Sequence, residues 1–477
     1  MILLYILLLL LLVLLALLLI AVVRTLLSPS KVSTYVAPPV DDRAMEYAGK
    51  LSKMVAYDTT SHANVHDRER FLGFHKVLKE LFPLVHQNLE KTEIDGNLLF
   101  KWKGTASDKP IVLMSHQDVV PAEGQWLHEP FSGDIADGKV WGRGTADTKC
   151  SVMAFFQAVE ELLEAGLVPE QDVYLVSSCT EEWGGDGCPK LVEEFKRRGV
   201  TPFLVCDEGG AIITEPVGGI KGNYAMIGVF EKGKADVKFT ARSAGGHASA
   251  PGRKTPIARL AAMVHECETK SPFKVQFPPQ VSAMFAALAP YAPFGLKLVF
   301  GNLWLFGGLL KKLMPLISAQ ATAMLRTTVA FTMQSGSDAC NVLPQEATVS
   351  ANMRFIPHQG MEESLAIMKK LADKHGLEME VLHGNDYTKS VDIQAEAYKR
   401  VENVVERTFP GLAYSPYVMT GATDAHFFQE ICDNCIRFSP VVYGPEQMKG
   451  MHGVNENIEV GCLPGAVDFY KNLILAK

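Results

Sequence analysis

Residues 1–23 carry no charged side chain and are dominated by leucine. A run of that length predicts a helix that crosses a bilayer, which takes about 20 residues. A Pro-containing stretch, Ser28 to Val40, links it to the rest. The pattern then changes to charged residues with apolar positions at helical spacing, predicting helices over Asp41–Ala56 and Arg68–Phe82. Leu98–Lys103, Ile111–Met114, Val173–Ser177 and Phe203–Cys206 read as strands. The last three are continuous apolar runs, as expected of strands covered on both faces. A helix starts near Lys149 and runs through Val152, Phe155, Phe156, Val159, Leu162 and Leu163.

From Ala225 the order changes. Strands over Ala225–Phe230, Ala235–Ala241, Val329–Met333, Ala347–Phe355 and Leu377–Leu382 alternate with helices near Pro256–Cys267 and Met361–His375. That is α+β order, typical of a small sandwich inserted in a larger α/β domain. Within it, Pro290 to Ile317 is unusually apolar and carries Phe294, Phe300, Trp304 and Phe306. It reads either as a buried helical hairpin or as an apolar surface for membrane or acyl chains. A helix over Ala395–Phe409 and a strand over Arg437–Val442 restore α/β order. The expected plan is an anchor at 1–23, a linker at 24–40, a catalytic domain in two parts (41–224 and 387–477) and an insert at 225–386.

Composition adds bounds. The 477 residues are 48% hydrophobic and 21% charged, with a formal charge of −7. Nothing there points to nucleic acid. A cleaved signal peptide usually has a shorter core, a basic start and an A-x-A site, and none of these is present, so an uncleaved anchor is expected. Arg24 and Lys31 follow the span; by the positive-inside rule these two charges place the body in the cytosol. No Asn begins an N-x-S/T sequon. The expected location is nonetheless a single-pass membrane protein with its catalytic domain lumenal or extracellular. The nine Cys do not pair by spacing into a scaffold, and the lone C-x-x-C of Cys432 and Cys435 lacks the second pair a zinc site wants.

The candidate chemistry lies where the apolar strands stop. Ile111–Met114 runs into Ser115, His116, Gln117 and Asp118; His116 and Asp118, two apart, share one face of an extended chain. Asp147 follows the tight Gly142-Arg143-Gly144 bend, Glu181 and Glu182 follow Val173–Ser177, and Asp207 follows Phe203–Cys206. Ligands gather at the carboxyl ends of strands in open α/β sheets. Singly, each residue reads as a polar turn or a helix cap. Together, one His and several carboxylates suit zinc, manganese or cobalt. Their number fits two ions roughly 3.5–4 Å apart.

The blocks SHQDVVP, GRGTADTK, TEEWGGDG, CDEGG, GGHAS, NVLP, TGATDA and MHGVNENI resemble the signature blocks of the dinuclear-zinc amidohydrolases. That family includes carboxypeptidase S, aminoacylase and the N-fatty-acyl-amino-acid synthase/hydrolase. The blocks fall in the family's order over roughly residues 45 to 477. The resemblance implies a zinc-dependent exopeptidase-like domain with a ferredoxin-like lid or dimerisation insert, and two zinc ions per chain. His116 and Asp207 would hold one ion, Glu182 and His452 the other, and Asp147 would bridge them ahead of a cis peptide to Thr148. Glu181 would be the general base and Asp118 would orient His116. His247 would stabilise the oxyanion, coming from a partner subunit in a homodimer or from the chain's own folded-over insert. Asn341, Arg354 and Gly421 would bind the substrate. The implied reaction is hydrolysis of an amide next to a free carboxylate, on N-fatty-acyl amino acids or on short peptides; an inactive binding protein is the third reading. His426 matches no role in the family.

Overall fold

The structure, a computed structural model, describes residues 1–63, 65 and 67–476; Asn64, His66 and Lys477 lie outside them. An eight-stranded sheet has the spatial order Glu90–Ile94, Asn97–Trp102, Gln171–Ser177, Ala106–Met114, Leu204–Thr214, Cys435–Tyr443, Asn223–Glu231 and Ala413–Met419. Its central strands, Gln171–Ser177, Ala106–Met114, Leu204–Thr214 and Cys435–Tyr443, run parallel, so their carboxyl ends share one edge.

The continuous apolar runs are explained by two cores. Neighbouring residues on a strand point to opposite faces. Ile111, Leu113, Val173, Leu175, Leu204 and Cys206 pack on one side, with helices Cys150–Glu164 and Leu463–Leu475. Val112, Met114, Tyr174, Val176 and Val205 pack on the other, with helix Gly187–Arg198. On the first side the helix Asp42–Val55 buries Ala44, Tyr47, Ala48, Leu51, Met54 and Val55, a stripe at helical spacing, and the Asp41 carboxylate caps its start by accepting from the Ala44 amide at 2.8 Å.

The insert is a four-stranded antiparallel sheet in the order Thr328–Ser335, Glu346–Phe355, Gly233–Arg242 and Glu378–Asn385. Helices Pro256–Thr269 and Met361–Lys374 cover the face that carries Ala235, Val237, Phe239 and Ala241. Strand and helix order are those of a ferredoxin-like fold.

Three sequence-based boundaries shift. The strand Asn223–Glu231 is hydrogen-bonded in the large sheet, so the chain enters the insert at Lys232, not at Ala225. It returns beside the same point, where the Thr388 amide donates to the Glu231 carbonyl at 3.1 Å. Within the stretch assigned to the insert, Val281, Met284, Phe285 and Leu288 of helix Pro279–Leu288 belong to the core of the large sheet. The N-terminal helix spans Ile2–Leu27, longer than the 1–23 expected. The segment after it is docked: the Lys31 amide donates to the Pro290 carbonyl (2.8 Å), the Thr34 amide to the Gly411 carbonyl (2.9 Å) and the Ser33 hydroxyl to the Asn223 carbonyl (2.5 Å).

Pro290–Ile317 is not a buried hairpin but is partly buried and partly exposed. It forms helices Phe294–Phe300 and Leu303–Ile317, bent by 101°. Phe300 is buried, while Phe294, Trp304, Leu309, Leu316 and Ile317 are at least half exposed.

Candidate metal centre and catalytic cavity

At the carboxyl edge of the parallel strands Asp147 stands between two histidines. Its Oδ1 lies 3.0 Å from His116 Nε2, and its Oδ2 lies 3.0 Å from His452 Nε2. His452 Nε2 is also 3.1 Å from Glu182 Oε2. Glu208 Oε1 and Glu181 Oε2 lie 3.9 Å and 4.0 Å from His116 Nε2. Two sets of donors able to hold a cation result, His116–Asp147–Glu208 and Asp147–Glu182–His452, sharing Asp147. The Asp147–Thr148 peptide is cis.

Glu208 takes the place expected for Asp207. The strand Leu204–Thr214 does not stop at Cys206 but continues, so these two neighbours point opposite ways. The Asp207 carboxylate accepts from the Ala425 amide at 2.8 Å and from the Glu208 amide at 2.8 Å and is turned from the cluster. Asp118 is also placed differently in detail. Its backbone carbonyl, 2.9 Å from His116 Nδ1, orients that ring, and its carboxylate is 3.5 Å away. The carboxylate accepts from the Ser61 hydroxyl (2.6 Å) and the amides of Glu181 and Glu182 (both 3.2 Å), which fixes the loop bearing both glutamates.

Sequence reasoning missed Glu456. This fully buried carboxylate accepts from the amides of Gly144 (3.0 Å), Ala146 (2.8 Å) and Asp147 (3.0 Å) and from Arg143 Nη1 (2.7 Å). It holds the bend that presents Asp147. Gly144 adopts φ +87°, and a Cβ there would lie 2.7 Å from Val119 Cγ1, so only glycine fits.

Charge is crowded here. Burial pushes the Glu181 and Glu208 carboxyls well above the usual carboxylate range; His116 opposes the shift in both, and Glu208 and Asp147 respectively add to it. Burial also raises Glu182, and Asp147 adds to the shift. For Asp147 burial is outweighed by hydrogen bonds from His116 and His452, which hold it low. For His116, too, burial is outweighed, by hydrogen bonds to Asp118 and Asp147, and the ring is raised well above its ordinary value. Asp147 and Glu182 raise His452 to about 10. A cation among these carboxylates would neutralise the crowded charge. The donor set, two imidazoles and three carboxylates, fits zinc.

A cavity of about 800 Å³ opens on the cluster. Asp147, Glu181, Glu208 and His452 form its polar end; Met284, Phe285, Met314, Ile317 and Met324 line its apolar part; Gly421 lies on its wall. Of the other expected substrate-binding residues, His247 and Asn341 lie together on the insert, exposed and away from the cavity wall, where the Ala248 amide donates to the Asn341 carbonyl at 2.9 Å. Arg354 is half-buried on strand Glu346–Phe355 and donates through Nε to Asn352 Oδ1 at 3.0 Å, outside the wall. The His426 ring lies beside its own backbone, with Nδ1 2.6 Å from the Thr423 carbonyl.

Fold and site define a metal-dependent hydrolase. The chain belongs to peptidase family M20/M25/M40, whose sequence model matches residues 112–476. It is 30% identical over 463 residues to a probable carboxypeptidase S-like protein of Dictyostelium discoideum, covering 94% of this chain and 88% of that one. It is 33% identical over 414 residues to the N-fatty-acyl-amino acid synthase/hydrolase of Homo sapiens, covering 84% of this chain and 81% of that one. In fold it is similar to an M20 family metallo-carboxypeptidase from Sulfolobus solfataricus, with a TM-score of 0.68 at 16% identity over 91% of this chain and 99% of the other.

Proposed function

We propose that this enzyme hydrolyses the amide bond of N-fatty-acyl amino acids, using two zinc ions held by His116, Asp147 and Glu208 and by Asp147, Glu182 and His452. The observation that carries the acyl reading is the methionine-rich cavity joined to the cluster. Flexible thioether side chains accommodate a long chain of variable shape. When bound, the metal pair supplies Lewis acidity that brings a water's pKa toward 7 and polarises the carbonyl. Glu181, which lines the cavity, takes the proton of the attacking water and hands it to the leaving amine. Gly421 admits the amino-acid end at the cavity wall. His247, Asn341 and Arg354 reach it only through closure of the insert or from a second copy of the chain, with His247 then stabilising the oxyanion.

The N-terminal helix, 26 residues containing an 18-residue window of mean hydropathy 3.7, is long and apolar enough to cross a membrane. We read it as an uncleaved single-pass anchor, with the catalytic domain lumenal or extracellular. The relatives named for carboxypeptidase S favour a second reading, hydrolysis of short peptides. A matched panel of a dipeptide, an N-acetyl and an N-oleoyl amino acid decides between them. The acyl reading expects the highest kcat/KM for the oleoyl compound; a dipeptide turned over best contradicts it.

A further inference from the structure

The bent helix pair Phe294–Phe300 and Leu303–Ile317 connects the N-terminal helix to the catalytic cavity. At one end, Asn302 Nδ2 donates to Thr25 Oγ1 at 3.0 Å, and Lys297 Nζ donates to the Ser28 carbonyl at 2.7 Å. At the other end, Met314 and Ile317 are walls of the cavity. Between them the outer face of Leu303–Ile317 is apolar and open: Trp304 is 50% exposed, Leu309 56% and Leu316 82%. Exposed Lys311 and Lys312 sit among these residues.

The depth of this pair follows from the N-terminal helix. Its 26 residues extend about 39 Å at about 1.5 Å per residue, against a hydrocarbon layer of about 30 Å. About 9 Å, some six residues, is therefore left outside the layer. Yet Leu17, Leu18, Ala21, Val22 and Thr25, one helical face, are covered or half-covered by the body. That contact runs about 12 Å along the helix, further than the excess. The body elements touching it, first of all Phe294–Phe300, therefore reach the hydrocarbon. Trp304 and the two lysines are the residues expected of a helix lying at a membrane surface.

We propose that the bent pair dips into the leaflet beside the N-terminal span and that its Met314–Ile317 end is a lateral entrance, through which an amphiphile with an acyl chain and a carboxylate head passes from the bilayer into the cavity. This rests on the acyl-amino-acid reading and on the helix being a retained anchor. Such a substrate partitions into membranes, so an entrance at the lipid surface draws on the concentrated pool and keeps the chain out of water.

The test uses the full chain in lipid nanodiscs, with Cys340, which alone of the free cysteines is exposed, replaced by Ala. An environment-sensitive fluorophore is placed at Leu316→Cys and, as control, at Val168→Cys, which is exposed and precedes the opposite end of the parallel strands. Nitroxide lipids should quench the label at 316 several-fold more than that at 168. Equal quenching overturns the proposal whatever the activity. In parallel, the double variant Leu309→Glu and Leu316→Glu, outside the cavity wall, is assayed on bilayer-dispersed N-oleoyl-leucine and on soluble N-acetyl-leucine. The expected result is a roughly tenfold loss of kcat/KM on the oleoyl compound, with turnover of the acetyl compound within twofold. Equal losses on both overturn the entrance. If the unsubstituted protein turns over only peptides while the label at 316 is still quenched, it is the acyl reading that fails, not the insertion.

Discussion

A single residue step separates Asp207 from Glu208, and the chemistry turns on it. Asp207 is occupied by backbone amides, whereas Glu208 faces His116 at 3.9 Å. Glu208→Ala should therefore reduce bound zinc from about two per chain to about one, measured by elemental analysis, while Asp207→Asn retains both. Loss of metal in Asp207→Asn with retention in Glu208→Ala would reverse the assignment. Glu181→Gln should keep both ions and lose roughly 10³-fold in kcat, within the usual range for a general base; near-normal turnover would remove Glu181 from that role. The metal-free cluster also has a protonation signature. His452, raised to about 10 by Asp147 and Glu182, is protonated at neutral pH when no metal is bound, and metal binding must expel that proton. Zinc affinity should then rise with pH between about 6 and 10, roughly tenfold per unit for each proton displaced. Calorimetry in buffers of different ionisation enthalpy should show at least one proton released per chain; none released would contradict the charge balance described.

At the scale of elements, the strands Ile111–Met114 and Val173–Ser177 were legible in the sequence because burial on both faces leaves an unbroken apolar run. The same signal fails at Cys206. There the strand goes on through charged Asp207 and Glu208 and through Gly210, where a Cβ would lie 2.2 Å from the Met226 carbonyl oxygen. The apolar run ends before the strand does, so it points to Asp207, whereas the structure turns Glu208 to the cluster. Glu456 was illegible for another reason: its contact with Ala146 spans 310 residues, and no local pattern marks it. Strand Asn223–Glu231 looks like any apolar strand, and only its pairing assigns it to the large sheet. The methionine-rich wall, assembled from Pro279–Leu288, Leu303–Ile317 and the segment after it, carries its own prediction. Each methylene buried there contributes about 0.8 kcal/mol, close to a fourfold gain. In a series of saturated acyl chains, kcat/KM should climb by about that factor per methylene until the cavity fills. A flat series would show that the chain is not held there.

At the scale of the molecule, the sheet edge supplies the donors, the bent helix pair supplies part of the apolar wall through Met314 and Ile317, and the N-terminal helix packs against that pair through Asn302 and Thr25. One chain thus joins a polar reaction centre to a greasy surface. The measurement that tests this most directly is zinc content and turnover of N-oleoyl-leucine on a single preparation of the full chain, before chelation, after chelation and after zinc is restored. The account predicts about two zinc per chain, loss of turnover with the metal, and recovery of both together. Turnover that survives complete metal removal, or a chain that takes up no zinc and hydrolyses no amide after reconstitution, would contradict it.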